Sequence, residues 1–277
     1  MTIKEIVEAA ILEDVGPGDY SSLSTIPADA TNKAKLVIKE DGILAGIDIA
    51  EEVFQQVDSN IVFEKMLNDG SNVKVGDIAF TVFGSAISIL TAERLALNFM
   101  QRMSGIATST NKYVKLIEGT NTKILDTRKT TPLLRELEKY SVKVGGGENH
   151  RFALYDMVMI KDNHIDFAGG IAKAIDSCNS YLSENKLDLK IEIEVRDIDE
   201  LMQVLAKGNV DRIMLDNFTP EKISEALILI NNRFETEASG GITTDTLRSY
   251  AETGVDYISV GALTHHIKSQ DMSLVAF

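Results

Sequence analysis

The fold is decided by residues 190–241, which read KIEIEVRDIDELMQVLAKGNVDRIMLDNFTPEKISEALILINNRFETEASGG. The apolar or alternating runs KIEIEV, RIMLD and FETEAS predict three strands, and the segments DIDELMQVLAKG and TPEKISEALILINN between them have the apolar spacing of helices. Alternation of strand and helix is typical of right-handed βαβ units, which build a parallel sheet. This part of the chain is therefore predicted to have an α/β fold.

The same alternation continues on both sides of this stretch. Three further apolar runs predict strands: KILDT (123–127), MVMIK (157–161) and YISVG (257–261). Helical spacing recurs in IAKAIDSCNSYLSE (171–184) and TTDTLRSYAETG (243–254). The six predicted strands are fewer than the eight of a complete (β/α)₈ barrel. The pattern leaves open a small or incomplete barrel and a doubly wound sheet.

The chain before about residue 120 has a different order of elements. Apolar spacing predicts helices at 3–13 and 49–57 and a long helix from Thr91. Strands are predicted at 61–67 and 77–90, and at 34–47, where two short strands form a hairpin around Asp41-Gly42. This order is typical of an α+β domain with antiparallel strands.

Composition excludes several classes of protein. With 277 residues, 44% of them hydrophobic, the chain has enough apolar material for a core, so a disordered protein is excluded. The net charge of −14 disfavours nonspecific nucleic-acid binding. No apolar run approaches the roughly 20 residues of a membrane span, and the acidic start does not resemble a secretion signal. The single cysteine, Cys178, fits a reducing compartment, so we expect a soluble, cytoplasmic protein.

Positive charge is concentrated in one segment of this acidic chain. Residues 102–161 hold eleven Lys and Arg against six Asp and Glu. A local basic segment of this kind predicts a pocket for a small anion rather than a track for a polyanion. The alternative is chance clustering on solvated helix faces.

Charged or small residues follow every predicted strand of the α/β region, at the ends where parallel architectures bind ligands. The cationic members suit carboxylates and phosphates: Arg128, Lys129, His150, Arg151 and Lys161. Glu194 and Asp216 are expected to hold magnesium (Mg²⁺) that carries a phosphorylated substrate, with a salt bridge to the neighbouring cations as the alternative. Glu192 shares a strand face with Glu194, so one of this pair could be structural.

Glycine-rich turns add a second kind of anion site. Ser239-Gly240-Gly241 precedes a helix and offers backbone N–H groups to a phosphate, and Gly261 has the equivalent place after the next strand. A plain tight turn is the alternative at 239–241. The Gly145–Gly147 run indicates either close backbone approach or a mobile loop. Zinc is not expected, because Cys178 is distant from the histidines and no HxxxH-type pair is present.

Several of these segments together resemble one enzyme family. They are LEDVGPGD (12–19), ERLALNFMQRMSGIAT (93–108), DTRKTTP (126–132), GGGENHR (145–151), IKDNH (160–164), EIEV (192–195), LDNF (215–218), ASGGI (238–242) and SVGALTH (259–265). In this order they are similar to quinolinate phosphoribosyltransferase, the decarboxylating enzyme that makes nicotinate mononucleotide. The resemblance covers nearly the whole chain.

The resemblance implies a fold and an activity. The fold would combine an N-terminal open-faced α/β sandwich, residues 1–105 joined by the tail 267–277, with an incomplete α/β (TIM-like) barrel at 106–266. The enzyme would transfer phosphoribose from phosphoribosyl pyrophosphate to quinolinate with loss of CO₂, a step of NAD biosynthesis. It would act as a homodimer in which the N-terminal domain of one subunit covers the barrel mouth of its partner.

The resemblance also implies roles for single residues. Arg102 would reach the neighbour's site, where Arg128, His150, Arg151 and Lys161 would bind the two quinolinate carboxylates. Lys129 would lie near phosphoribosyl pyrophosphate, and Glu194 and Asp216 would hold Mg²⁺ and the ribose hydroxyls. The 5-phosphate side would be bound by Ser239, Gly240, Gly241, Gly261 and His265. The predicted catalytic group is Arg128, Lys129, Lys161, Glu194 and Asp216.

Two positions depart from the family, and three other functions remain open. Leu133 and Ala153 stand where the family often has glycine, which puts substrate detail in question but removes no charged group. The alternatives are the molybdenum-associated homologue, a Schiff-base lyase with Lys161 as nucleophile, and a non-catalytic sensor of phosphoribosyl pyrophosphate.

Overall fold

The computed structural model describes residues 2–277, which divide into two compact units. Unit 1 comprises residues up to Lys112 together with Lys129–Gly147 and Ala262–Phe277, and unit 2 comprises Tyr113–Arg128 and Glu148–Gly261. Each unit is therefore built from separate pieces of chain.

Unit 1 contains an antiparallel sheet of order β12-β1-β5-β3 and a second, two-stranded sheet, β2-β4. Its strands are β1 (Thr31–Ile38), β2 (Gly42–Ile43), β3 (Val62–Lys65), β4 (Asn72–Val73), β5 (Ile78–Ser85) and β12 (Met272–Ala276). Its helices are α1 (Ile3–Val15), α2 (Tyr20–Thr25), α3 (Ile47–Val57), α4 (Ala86–Leu116, whose last turn extends past Lys112), α5 (Arg135–Val144) and α11 (Ala262–His265). The chain's tail thus enters this sheet as the antiparallel neighbour of β1.

The core of unit 1 lies between the inner face of the sheet and the helices. Alternate residues of β1, Ala34, Leu36 and Ile38, are buried, as the period of two of a half-buried strand requires. They pack in one cluster with buried residues of α3 and α4, which include Phe54 and Met103.

The predicted hairpin around Asp41-Gly42 is wrong. β1 pairs with β12 and β5, whereas β2 pairs with β4. Gly42 serves close packing rather than a turn, because a Cβ atom there would lie 2.5 Å from the Thr108 hydroxyl. The Asp41 carboxylate accepts a hydrogen bond from the Val75 amide at 2.9 Å and so ties this segment to a different partner.

The predicted start of the long helix at Thr91 is also wrong, because α4 begins at Ala86. The sequence pattern predicts that the strand at 77–90 continues through the AISIL segment (86–90). The Ser85 hydroxyl accepts a hydrogen bond from the Ser88 amide at 3.3 Å, the contact by which a serine caps a helix N-terminus. This local cap outweighs the strand propensity of Ile87 and Ile89.

Unit 2 contains the six strands that the sequence predicts, all parallel, in the order β6-β11-β10-β9-β8-β7. They are β6 (Lys123–Leu125), β7 (Val158–Ile160), β8 (Ile191–Val195), β9 (Arg212–Asp216), β10 (Glu235–Ser239) and β11 (Tyr257–Ser259). Strands β7 to β11 follow one another without reversal, which is barrel order, whereas a doubly wound sheet reverses direction at a switch point. The predicted incomplete barrel is confirmed.

Four helices of unit 2 lie where the spacing predicts them: α7 (Ile171–Glu184), α8 (Ile198–Lys207), α9 (Pro220–Ile230) and α10 (Leu247–Ala251). A further short helix that was not predicted, α6 (Asp162–Ala168), follows β7. Asp197 caps α8 through the Glu200 amide, and Thr219 caps α9, which has Pro220 in its first turn. Among residues 2–277, the helices lack the combination of length and apolar composition that a membrane crossing requires.

Candidate active site

Lys161 and Glu194 meet at the carboxyl ends of β7 and β8. The Lys161 Nζ donates to Glu194 Oε2 at 2.5 Å, and Glu194 is 9% exposed at its side chain while Lys161 is 44% exposed. The Lys161 backbone is also fixed, because its N–H donates to the Nδ1 atom of His164 at 2.9 Å. In this arrangement Glu194 forms the salt bridge that the sequence analysis gave as the alternative to metal binding.

Asp216 lies at the end of the next strand, β9, and its carboxylate is held by neutral donors. Oδ1 accepts from the Ser239 hydroxyl and Oδ2 from the Asn217 side-chain amide, both at 2.6 Å. Asn217 has φ 57° and its backbone N–H donates to the Ser239 carbonyl oxygen at 2.9 Å. A Cβ atom on Gly240 would lie 2.2 Å from Asn217 Oδ1, so the LDN and SGG segments require glycine to approach this closely.

Glycines follow β10 and β11 at the same end of the sheet, where the backbone is not covered by side chains of its own. Gly241 has φ 62° and no atom within 4 Å of where its Cβ would be. Gly261 follows Val260, whose N–H donates to the Leu125 carbonyl oxygen at 2.9 Å. Both turns therefore lie at the carboxyl ends of neighbouring strands of the order β6-β11-β10. Phosphate-binding loops of barrels lie at the same end of their sheet.

Two arginines of unit 2 repel each other. Arg128 is exposed, whereas Arg151 is half-buried and donates from Nη1 to the Met157 carbonyl oxygen at 3.1 Å. Burial lowers the pKa of Arg151, and the charge of Arg128 lowers it further. Two like charges held together favour the binding of an anion that neutralises both.

The segment that carries Arg151 is anchored by a buried aspartate. Asp126, at the end of β6, is 0% exposed and its Oδ1 accepts from the His150 backbone N–H at 2.9 Å. The Asp126 N–H in turn donates to the Glu148 carbonyl oxygen at 3.1 Å. The first residue of the DTRK motif therefore fixes the ENHR segment, a role that sequence reasoning missed.

His150 itself points into the interior of the sheet. Its Nε2 lies 2.9 Å from Glu192 Oε2 and 3.3 Å from Glu237 Oε2, and both glutamates are 0% exposed. Burial alone would lower the pKa of His150, but the neighbouring carboxylates of Glu192 and Glu237 outweigh it and raise the pKa to about 9. Its Nδ1 also accepts from the Arg151 N–H at 2.6 Å. These contacts on both ring nitrogens fix the orientation of the ring.

Among residues 2–277, one group of three side chains has the spacing to hold a metal ion: His150, Glu192 and Glu237. The Arg212 guanidinium already supplies positive charge there, since its Nη1 lies 3.2 Å from Glu237 Oε2. Because this cation already pairs with one carboxylate of the group, we assign no metal to it.

Unit 1 has a cavity of about 350 Å³ with a cationic lining. The lining residues are Arg102, Lys129, Thr130, Thr131, Thr264, His265 and Ile267. The Thr264 hydroxyl donates to the Lys129 carbonyl oxygen at 2.9 Å and joins the THH and TRK segments. Burial lowers the pKa of His265, and the charges of His266 and Lys129 lower it further, so this histidine is a neutral hydrogen-bonding group near pH 7.

Arg102 is fixed by a buried glutamate on α5. Glu138 is 1% exposed at its side chain, and its Oε1 accepts from Arg102 Nε at 3.0 Å and Nη2 at 2.5 Å. Its Oε2 accepts from the Thr131 N–H at 3.1 Å, while the Thr131 hydroxyl accepts from Arg102 Nη2 at 2.6 Å. One carboxylate thus positions both Arg102 and the TTP segment.

The Gly145–Gly147 run allows close backbone approach. A Cβ atom on Gly145 would lie 2.4 Å from the Ala107 carbonyl oxygen of α4, and one on Gly147 would lie 2.8 Å from Val142. Gly146 has φ 93°. Of the two interpretations from the sequence, close approach is the one that this packing supports.

The two units divide the predicted site residues between them. Unit 2 holds Arg128, His150, Arg151, Lys161, Glu194, Asp216, Ser239, Gly240, Gly241 and Gly261, and unit 1 holds Arg102, Lys129 and His265. Sequence reasoning missed the buried supports Asp126, Glu138, Arg212 and Glu237. A signal existed for Glu237, because the alternating FETEAS run puts two glutamates on one face of a parallel strand, where apolar residues are usual.

Comparison with known proteins assigns this arrangement to a family. Residues 19–104 match the family model of the quinolinate phosphoribosyl transferase N-terminal domain, and residues 106–275 match that of its C-terminal domain. The chain belongs to the quinolinate phosphoribosyltransferase family. The two family models meet near residue 105, while the division of the chain at that residue stays a prediction.

Relatives along nearly the full length agree with this family assignment. The chain is 47% identical to quinolinate phosphoribosyltransferase [decarboxylating] 1b of Nicotiana tabacum, over 98% of this chain and 81% of that protein. It is 41% identical to a probable nicotinate-nucleotide pyrophosphorylase [carboxylating] of Bacillus subtilis, over 99% and 93%. The predicted family, its fold and its enzyme activity in NAD biosynthesis are confirmed.

Solved structures of the family have the same fold. The crystal structure of NadC from Streptococcus pyogenes superposes with a TM-score of 0.94 at 41% identity, over 99% of this chain and 97% of that chain. The nicotinate-nucleotide pyrophosphorylase of Francisella tularensis gives 0.93 at 42% identity, over 99% and 96%. Quinolinate phosphoribosyltransferases therefore share the architecture that positions the residues described above.

Proposed function

We propose that this chain transfers phosphoribose from phosphoribosyl pyrophosphate to the ring nitrogen of quinolinate and releases pyrophosphate and CO₂, with the residues described above as its active site. The observation that carries the residue assignment is the pair of arginines Arg128 and Arg151 in unit 2, because the charge of Arg128 lowers the pKa of the half-buried Arg151. Quinolinate is a dianion, and its two carboxylates are suited to two like charges of this kind.

The cations of unit 2 bind and orient the acceptor in this proposal. Arg128 and Arg151 form charge-assisted hydrogen bonds with the carboxylates, and Lys161 completes the pocket. His150 supports this pocket from the interior, because its two ring nitrogens already contact Glu192, Glu237 and the Arg151 N–H. Several cations are needed, because quinolinate must be held against an anionic cosubstrate. This leaves the ring nitrogen directed at C1 of the ribose.

Each unit has groups that are suited to a phosphorylated substrate. The turns at Ser239, Gly240, Gly241 and Gly261 offer N–H groups to the 5-phosphate. Lys129 and His265, which line the cavity, are suited to phosphate oxygens as a charged and a neutral donor. Pyrophosphate leaves as an anion, so Lys129 stabilises the charge that develops on it.

Glu194 and Asp216 would hold a magnesium ion that the substrate carries, and Glu194 would give up its salt bridge with Lys161 to do so. Both carboxylates lie at the ends of adjacent strands, and Asp216 accepts hydrogen bonds from two uncharged donors. Mg²⁺ commonly uses one or two carboxylates together with substrate phosphates and water. When bound, the ion neutralises the charge of the departing pyrophosphate.

The chemistry proceeds in two steps, each of which breaks one bond and forms one. The bond from C1 of the ribose to pyrophosphate breaks, and the ring nitrogen forms a bond to C1 through a centre with positive charge, which Glu194 and Asp216 stabilise. The ring nitrogen is then cationic. The bond to the adjacent carboxylate breaks, CO₂ leaves, and the electron pair stays on the ring carbon beside the nitrogen until a proton replaces it. No covalent nucleophile is needed.

The position of Lys161 argues against a Schiff-base lyase. A Schiff-base nucleophile needs an amine that is free to attack a carbonyl carbon, whereas the Lys161 Nζ is engaged with Glu194 Oε2 at 2.5 Å. Lys161 therefore acts through its charge. Borohydride trapping of a carbonyl substrate on Lys161 would contradict this role.

We also propose a homodimer in which Arg102 completes the site of the partner subunit, as the family resemblance implies. Glu138 holds the Arg102 guanidinium, while its side chain remains 31% exposed. A guanidinium fixed in this way loses little conformational entropy when it binds a carboxylate. The cytoplasmic location stays a prediction from cysteine usage.

The experiment that tests this function follows pyrophosphate and CO₂ together in a reaction of the purified protein with quinolinate, phosphoribosyl pyrophosphate and Mg²⁺. We expect equal amounts of both products and loss of both on addition of EDTA, with recovery when Mg²⁺ is restored. Pyrophosphate without CO₂ would contradict the decarboxylating reaction. Tight binding of phosphoribosyl pyrophosphate without either product would identify a sensor instead.

A further inference from the structure

The interior of the unit 2 sheet holds a layer of charged side chains beneath the proposed quinolinate site. Glu192 on β8 and Glu235 on β10 are both paired in register with Arg212 on β9, and Glu237 lies two residues further along β10. Side chains two residues apart on a strand point to the same face. Glu192 and Glu237 are 0% exposed, and Arg212 is 9% exposed.

Buried charge of this kind destabilises a fold unless the charges are paired and hydrogen-bonded. Arg212 Nη1 lies 3.2 Å from Glu237 Oε2, and Nη2 lies 2.9 Å from Glu235 Oε2. The guanidinium also lies over the Tyr257 ring, 4.1 Å from its centroid. Well-packed apolar residues commonly replace a buried ion pair at no loss of stability, so a layer of several charges here requires another explanation.

The position of His150 supplies that explanation. Its backbone is held by Asp126 and its ring nitrogen Nε2 by Glu192 and Glu237, at 2.9 and 3.3 Å. The next residue is Arg151, a proposed quinolinate contact whose N–H donates to His150 Nδ1 at 2.6 Å. The buried carboxylates therefore fix the His150 ring and, through it, the backbone from which Arg151 extends.

We propose that Glu192 and Glu237 are positioning residues of the quinolinate site, which act by holding His150 and thereby Arg151. This inference rests on the proposed function. Glu192 and Glu237 are fully buried, so they act on the substrate only through His150 and Arg151. Their loss is therefore expected to weaken the binding of quinolinate more than the binding of phosphoribosyl pyrophosphate.

The test compares two substitutions on the same strand. Glu237→Gln removes a charge that pairs with both Arg212 and His150, while Glu235→Gln removes a charge that pairs with Arg212 and Lys190. We expect Glu237→Gln to raise KM for quinolinate by at least about tenfold and to change KM for phosphoribosyl pyrophosphate by less than about twofold. Glu235→Gln should leave both KM values within about twofold of the unmodified enzyme.

Equal changes in both KM values, or equal quinolinate KM values in the two variants, would overturn the inference while the unmodified enzyme remained active. An inactive unmodified enzyme would instead overturn the proposed function, and the inference with it. Glu237→Asp keeps the charge and should recover part of the lost quinolinate affinity, which a purely structural role of the glutamate side chain does not predict.

A measurement on the unmodified protein covers the case in which Glu237→Gln does not fold. The chain has four histidines, of which His150 is buried while His164, His265 and His266 are exposed. In the full-length protein labelled with ¹⁵N-histidine, we expect one imidazole N–H, that of His150, to be protected from exchange with water. Absence of a protected imidazole N–H would overturn the inference, as would stoichiometric zinc that is bound by the unmodified protein and lost in Glu192→Gln.

Discussion

The Glu138 carboxylate, 1% exposed, binds the Arg102 guanidinium through Nε at 3.0 Å and Nη2 at 2.5 Å. A residue of α5 thereby fixes the orientation of an arginine side chain on α4. We expect Glu138→Gln to lower kcat/KM for quinolinate by at least about tenfold, because the neutral amide no longer orients the guanidinium. Glu136→Gln is the matched control, since Glu136 is exposed on the same helix. Equal activity of the two variants would contradict this role.

The shared site of the proposed homodimer is tested by complementation. Arg102→Ala and Lys161→Ala chains are each expected to be inactive. If Arg102 serves the partner's site, a mixed dimer has one site with both residues intact, and a random mixture should regain about a quarter of the unmodified activity. The measurement is pyrophosphate release after co-expression of the two chains. No recovery would show that each chain supplies its own Arg102.

Arg128 is the most exposed cation of the proposed quinolinate pocket in unit 2. Arg128→Ala should fold normally, because the residue is exposed, yet lose at least about 100-fold in kcat/KM, in line with about 2–4 kcal/mol for one oriented charged donor. Circular dichroism reports folding and pyrophosphate release reports activity. Lys222→Ala removes an exposed cation on α9 as a control. Unchanged activity of Arg128→Ala would remove Arg128 from the site.

The pKa of His150 predicts how stability depends on pH. Burial lowers this pKa, but Glu192 and Glu237 raise it from 6.5 to about 9, so its stabilising contribution is complete below pH 6.5 and is lost as the pH rises through 9. Burial and the charge of Glu237 raise the pKa of Glu192 from 4.5 to about 7, which lowers stability in the same direction as the pH rises through 7. Arg212 keeps its charge throughout.

Urea unfolding at several pH values checks this dependence. The free energy of unfolding should fall between pH 6.5 and 9, and the fall should be smaller in His150→Gln, which has no titrating ring. The difference between the two proteins isolates the cluster from other titrating groups. Parallel curves for the two proteins would contradict the ion pairing of His150.

Leu133 adopts a backbone conformation that suits glycine. It has φ 67° and is 72% exposed, and it stands where the family often has glycine. The left-handed region costs a residue with a side chain about 1–2 kcal/mol. We expect Leu133→Gly to be more stable than Leu133→Ala by about 1 kcal/mol, the reverse of the usual order. Thermal unfolding of both variants decides it, and a more stable alanine variant would rule out strain.

The sequence predicted the parallel sheet well because its strands depend on local pattern. Runs such as RIMLD are apolar, short and separated by helices with their own caps, so pattern and tertiary structure agree. The hairpin at Asp41-Gly42 failed because Gly42 is there for its contact with Thr108, which lies far away in the sequence. The start of α4 failed because the AISIL segment has strand propensity and only the cap at Ser85 opposes it.

The candidate site was predicted where chemistry appears as a charged residue at the end of a strand. Lys161, Glu194 and Asp216 belong to this class. The supports could not be predicted in the same way, because Glu138 and Glu237 are distinguished by burial and by partners on other elements. A helix-spaced glutamate such as Glu138 is indistinguishable in sequence from its exposed neighbour Glu136.

The central claim is that the clustered cations select an acceptor with two carboxylates. The most direct measurement compares kcat/KM for pyrophosphate release with quinolinate and with nicotinate, which lacks the carboxylate beside the ring nitrogen. A site built to bond a polar group rejects an analogue without it, so quinolinate should be preferred by at least about 10³-fold. The preference should fall in Arg128→Ala. Equal rates with nicotinate would contradict the claim.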